Sequence, residues 1–149
     1  MRTKQTIAKK LRVSDALIWD AISAVGRLDV WFPIIETCRI NGQGKGAIRR
    51  MTVVDDGGEI EDTIEDVDTV KKKLVYQRLV TPLPVSSYRG TVEVMESFDG
   101  LGVIVWTVDF DSKPEDAQSL ADFIRDAISD GIDGMEADLR ERADKQRDS

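Results

Sequence analysis

Histidine is missing from this 149-residue chain, and cysteine occurs once, at Cys38. Without imidazole there is no Ser–His relay, no His ligand for a metal, and no side chain whose ordinary titration falls between about pH 5 and 8. One thiol excludes an intrachain disulfide and a thiolate-rich zinc site, and Cys38 reads as a small buried hydrophobe. No stretch approaches the ~20 apolar residues of a membrane-spanning helix. The opening, MRTKQTIAKKLRV, is too polar for a secretory signal, so a cytoplasmic location is expected. Clustered basic charge is scarce as well. Residues 1–108 hold 15 basic and 15 acidic residues, residues 109–149 hold 6 and 13, and the net charge is −7. Nucleic acid binding needs grouped Lys or Arg to neutralise phosphates, so no nucleic acid partner is expected. The one basic run, Lys71–Lys73, reads as a strand-end turn.

What is present is one long amphipathic helix and a series of strands. From Pro114 to Arg142, small or apolar residues recur at Leu120, Ile124, Ala127, Ile128, Gly131, Ile132, Met135 and Leu139, a helical spacing with one face to bury. Asp122, Asp126, Asp130 and Asp133 mark the opposite, solvated face. Carboxylates one turn apart on a straight helix diverge too far to enclose one ion, so no metal is expected there. The tail after Arg142 is expected to fray. With 41% hydrophobic residues and no internal linker or repeat, the chain reads as a single domain over residues 1–149.

Upstream, Thr6 to Val13 reads as a strand. Ser14 follows as the N-cap of a short helix that Gly26 ends, and Leu28 to Phe32 forms a further helical turn stopped by Pro33. Strands are then predicted at Ile35–Asn41, Ala47–Val54, Glu59–Asp68, Lys72–Val80, Tyr88–Ser97 and Gly102–Asp111, with TPLPVSS as a loop or edge. Hairpin-length connections imply antiparallel order. With Asp55-Asp56-Gly57-Gly58 as the loop, Val53 is expected opposite Ile60 and Met51 opposite Asp62. One face then carries Arg49, Met51, Val53, Ile60, Asp62 and Ile64, and the alternation continues through Leu74, Tyr76, Tyr88, Val92, Val94, Ile104, Trp106, Val108 and Phe110. The expected fold class is α+β: a curved antiparallel sheet of about seven strands around a long C-terminal helix, with two short helices between the first two strands.

Candidate functional residues follow from that sidedness. Arg49 and Asp62 fall on the inner face, diagonal across a hairpin. They read either as a polar anchor for a ligand or as a buried ion pair that satisfies itself. Tyr76, Tyr88 and Trp106 read as pocket walls or as core packing with a polar tip. Arg78 alternates with Tyr76 and points to a cavity mouth or to water. The Pro82–Pro84 segment reads as a rim loop, gating or rigid.

The order strand, two short helices, six strands, long helix resembles the START/Bet v 1-like (SRPBCC) superfamily with its helix-grip fold. The closer resemblance is to its polyketide cyclase/dehydrase-like branch. It is carried by VSDALIWDAISAVGRLDVWFP (13–33), GAIRRM (46–51), GEIEDTIEDVD (58–68), YQRLVTPLPVSSYRGTVEV (76–94) and VIVWTVDF (103–110). The resemblance implies an apolar cavity between sheet and C-terminal helix for a lipid- or polyketide-like molecule. Phe123, Ala127 and Gly131 would face it, Gly131 leaving room for a ligand or a nearby loop. It also departs from known subgroups. The abscisic acid receptors carry a longer proline-containing gate where this chain has only DDGG, and the usual Glu of the fourth strand stands as Asp62. No cyclase catalytic set carries over residue by residue, and no cofactor is implied. The expected function is binding or carriage of a hydrophobic small molecule. The alternatives are a polyketide cyclase/aromatase-type enzyme and a protein-binding role for the acidic helix. A homodimer is compatible with the sequence.

Overall fold

The computed structural model describes residues 1–147. Its elements are β1 (Arg2–Ser14), α1 (Asp15–Ser23), α2 (Leu28–Trp31), β2 (Ile35–Asn41), β3 (Ile48–Val53), β4 (Glu59–Asp68), β5 (Lys73–Val80), β6 (Val85–Glu96), β7 (Leu101–Ser112), a 3-10 turn (Pro114–Asp116) and α3 (Ala117–Arg147). The strands form one antiparallel sheet of seven in the order β1-β7-β6-β5-β4-β3-β2, so β1 and β2 are its edges. α3 lies along the inner face, and the arrangement is the helix-grip form of the α+β class.

Strict alternation makes the sheet two-sided. On β7 every second residue is buried, and Ile104, Trp106, Val108 and Phe110 are each at most 3% exposed. Burying side chains of this size stabilises the fold by roughly 1.5–3 kcal/mol each. From α3 the same core receives Ile124, Ile128, Ile132, Met135 and Leu139.

Two edges of the sheet reach beyond the apolar pattern. β1 begins at Arg2, and Arg2 to Gln5 pair with β7 although none of them is a buried apolar residue. Backbone pairing, invisible to hydrophobic periodicity, extends the strand. β6 begins at Val85, so the proline loop shrinks to residues 81–84, and Val85 to Ser87 join the sheet through a bulge opposite β7. α3 continues to Arg147 where fraying was expected after Arg142. Glu141–Lys145 and Asp144–Arg147 ion pairs lie along that last turn and a half. Asp148 and Ser149 of the same expected tail lie outside the described residues.

The β3–β4 hairpin is registered two residues from expectation. Met51 faces Ile60 and Arg49 faces Asp62. The reversal uses residues 54–58, because Asp55 (φ 58°), Asp56 (φ 56°) and Gly58 (φ 113°) all bend left-handed. A slip of two keeps every side chain on its face, so the inner set stands. Arg49 and Asp62 therefore sit directly opposite each other rather than diagonally.

The helical insertion holds α3 in place. Ser14 Oγ accepts from Leu17 N at 3.2 Å, the expected N-cap. α1 ends at Ser23, before Gly26, because Val25 takes φ 73°. α2 then packs on the middle of α3, where glycines permit close approach. A Cβ on Gly134 would lie 2.1 Å from the Trp31 carbonyl oxygen, and one on Gly131 would lie 2.2 Å from the Phe32 ring. Asp138 fastens the contact, accepting from Trp31 Nε1 at 2.9 Å and from Arg27 Nη2 at 2.7 Å. Gly131 thus makes room for Phe32 of the neighbouring segment.

The Lys71–Lys73 run is a turn, as expected. Asp68 Oδ1 accepts from Lys71 N at 3.0 Å, Lys72 pairs with Asp15, and Lys73 starts β5. Among the described residues no helix is long and apolar enough to cross a membrane.

Candidate functional site

Between the inner face of β3–β7 and the first half of α3 lies a narrow cleft of about 80 Å³. Two hollows are roomier, at about 430 and 260 Å³. One lies beside the exposed Arg50–Glu61 pair and the other between α1 and the end of α3. The cleft is the most apolar of the three, the character expected of a small-molecule site.

Each element supplies lining by its period. β3 sends in Met51 and Val53, β5 sends Tyr76 and Arg78, β6 sends Tyr88, and β7 sends Trp106. Phe123 and Ala127 come from α3, one turn apart, together with Ile124 and Ile128. Phe123 is 46% exposed and stands at the mouth, where Pro82 and Leu83 of the rim loop also line the cleft. Arg49, Asp62 and Ile64 are not part of the lining; they are buried at 3%, 0% and 1% exposure. Gly131 does not line it either, being filled over by Phe32.

Sequence reasoning missed the wall contributed by the insertion, Leu28, Phe32 and Ile34, and by Ile35 at the start of β2. Leu28 and Phe32 are one helical turn apart and both apolar, a signal that was there to read. What hid it is that no period connects a four-residue helix to a sheet face.

A charged cluster underlies the cleft. Asp62 Oδ2 accepts from Arg49 Nε at 3.0 Å and Nη2 at 2.8 Å. Asp62 Oδ1 accepts from Arg78 Nε at 2.8 Å, with a further bond from Arg78 Nη2 to Oδ2 at 3.2 Å. Arg49 spends Nη1 on the Val25 carbonyl, 3.0 Å away. The left-handed turn at Val25, unusual for a β-branched residue, thereby presents an acceptor to a buried cation.

Aromatic rings cover the guanidinium groups. Arg49 and Arg78 lie 4.9 and 5.5 Å from the centre of the Tyr76 ring, and Arg78 lies 4.6 Å from that of Tyr88. Trp106 Nε1 donates to Tyr76 Oη at 3.1 Å. Gly90, on β6, admits the Tyr76 ring: a Cβ there would fall 2.1 Å from Cζ.

Protonation states follow from these contacts. Burial favours the neutral form of Asp62, but the charges of Arg78 and Arg49 and their hydrogen bonds win and hold its pKa below the ordinary carboxylate value. Burial likewise opposes the Arg78 cation, yet Asp62 raises its pKa above the ordinary guanidinium value. Tyr88 is pushed far above the usual phenol range, first by burial and then by Tyr76. At neutral pH the cleft therefore offers a fixed cation at Arg78 and a neutral hydroxyl at Tyr88. Cys38 is half-buried, with its thiol pushed up by burial.

Residues 3–140 match the family described as polyketide cyclase / dehydrase and lipid transport. A comparison with curated proteins finds no match. Among solved structures, protein XoxI from Bacillus cereus superposes with a TM-score of 0.82 at 18% identity, over 95% of this chain and 98% of that chain. The Zhui aromatase/cyclase from a Streptomyces species gives 0.79 at 17% identity, over 96% of each chain. Norcoclaurine synthase from Thalictrum flavum, in complex with dopamine and hydroxybenzaldehyde, gives 0.77 at 22% identity, over 95% of this chain and 88% of that one. At such identities the likeness is one of fold.

Proposed function

The chain belongs to the polyketide cyclase / dehydrase and lipid transport family, and from that premise we propose that it binds or carries a hydrophobic small molecule in the cleft between sheet and α3. The observation that supports this most directly is the chemistry of the wall. Phe32, Ile35, Met51, Ile124 and Ile128 surround a few convergent polar groups, Arg78, Tyr76 and Tyr88. Apolar area taken from water is worth about 25 cal/mol per Å², while the polar groups fix orientation. The resting cleft has room for only a handful of water-sized spheres. A larger body is admitted by displacement of Phe123 and Leu83 at the mouth. Ligand-lining roles go to Met51, Val53, Tyr76, Arg78, Tyr88, Trp106, Phe123 and Ala127.

Titration with the neutral fluorophore N-phenyl-1-naphthylamine tests the reading. Saturable enhancement at one site is expected, and Ala127→Trp, which fills the cleft, should abolish it while leaving the folded circular dichroism spectrum. Equal enhancement in that variant would place the probe elsewhere and overturn the proposal.

A second reading, a cyclase- or aromatase-type enzyme, draws on the family description and on the aromatase/cyclase neighbour. Positioning a flexible chain against Arg78 and Tyr88 would then be the main catalytic contribution. Turnover of a polyketide-like substrate that is lost in Tyr88→Phe would favour it.

A further inference from the structure

The inner charges of this protein do not cancel. Among the described residues Arg49 and Asp62 are the only charged ones that are buried, with side chains 4% and 0% exposed, and Arg78, at 12%, joins the same carboxylate. Two guanidinium groups thus share one carboxylate, leaving one positive charge in a region of low polarity. Arg49 is fully engaged, by Asp62 and the Val25 carbonyl. Arg78 is not: Nε and Nη2 reach Asp62, and among the described residues Nη1 has no hydrogen-bond partner. Among the described residues Arg78 is also the single charged one that lines the cleft. Tyr88, neutral and beneath the same guanidinium, lines it alongside.

We infer that the cleft selects an apolar monocarboxylic acid, its carboxylate seated on Arg78 Nη1 beside the Tyr88 hydroxyl and its body among Phe32, Met51 and Ile124. This rests on the proposed binding role and names the ligand class for it. One surplus positive charge calls for one negative charge. A carboxylate restores neutrality in the buried cluster. A phosphate monoester, carrying close to two negative charges at neutral pH, overshoots it. A neutral lipid leaves the cation without a counter-charge. Hydrogen bonds to charged groups are also stronger than neutral ones, and the planar guanidinium suits a carboxylate.

The test uses two probes of one shape, 2-naphthoate and 2-naphthamide, with 2-naphthyl phosphate as a third arm, measured by calorimetry on the full-length protein at pH 7. Wild type should bind the acid about tenfold or more tighter than the amide, and tighter than the phosphate. Arg78→Met leaves Arg49 and Asp62 as a balanced pair. It should bring acid and amide to within about twofold of each other by weakening the acid alone. The comparison on wild type needs no variant, so it stands if Arg78→Met does not fold. Amide bound as tightly as acid by wild type would overturn this inference and leave the binding role intact. Phosphate preferred over carboxylate would overturn it too. Failure of all three probes and of N-phenyl-1-naphthylamine would overturn the binding role itself.

Discussion

Arg49 and Asp62 face each other across the β3–β4 ladder and are joined by two hydrogen bonds, 3.0 and 2.8 Å, from one guanidinium to one carboxylate oxygen. The pair is buried, and Asp62 also carries Arg78. Removal of the shared anion is therefore worse than removal of either cation. Asp62→Asn strands two guanidinium groups and should cost about 3–5 kcal/mol. Arg49→Met leaves Asp62 still paired with Arg78 and should cost less. Urea denaturation of the two variants checks the order, and a reversed order would contradict the sharing.

Gly90→Ala tests the seat of Tyr76. The added methyl would fall on the ring, and that ring is held by Trp106 Nε1 and by the two guanidinium groups. Overpacking of this kind costs roughly 1–3 kcal/mol. The variant should melt at a lower temperature, and its Trp106 fluorescence should change as the hydrogen bond to Tyr76 is strained. An unaltered melting curve would show that the ring has room to move.

Gly131→Ala acts on the cleft through Phe32. The new Cβ meets the ring, and the ring lines the cleft and contacts Trp106 edge-to-face at 5.7 Å. The expected result is loss of stability together with weaker N-phenyl-1-naphthylamine binding. Phe123→Ala makes the contrast. Half-exposed at the mouth, it should change stability by less than about 1 kcal/mol while speeding both association and release of the probe in stopped-flow traces. Unchanged rates would remove Phe123 from the path.

Dependence on pH follows from the carboxylates. Hydrogen bonds and charge from Arg27, and a bond from Trp31, outweigh burial and hold Asp138 below its ordinary value. Asp62 is held down in the same direction. A carboxylate lowered on folding stabilises the native state above its unfolded value, near pH 4, and gives that up as pH falls through the folded value. With no histidine in the chain, the melting temperature should be level from about pH 5.5 to 7.5 and should fall below about pH 4. Asp138→Asn should be less stable than wild type at pH 7, with the two curves converging toward pH 2. Parallel curves over that range would show that Asp138 contributes no charge dependence.

The inner face of the sheet was legible because period two reads itself: Met51, Tyr76, Tyr88 and Trp106 were placed by alternation alone, and the family resemblance agrees with the match over residues 3–140. A two-residue error in the β3–β4 register did no harm to sidedness for the same reason. Three-body relations were not legible. Nothing local to Arg78 says that it shares Asp62 with Arg49, because a bulge around Leu79 separates the pairs Glu61–Val80 and Asp62–Arg78. The backbone turn at Val25 that serves Arg49 was equally hidden, since a valine is a poor advertisement for a left-handed conformation.

The glycine notches at Gly131 and Gly134 and the Asp138 clamp seat the central span of α3 against α2 on both backbone and side chain. That seat fixes the helix at its middle. The segment of α3 ahead of it carries Phe123 and Ala127 along the cleft. For the proposed binding role, the consequence is a route of entry past half-exposed Phe123 rather than past the C-terminal end of the helix, which the clamp at Asp138 closes.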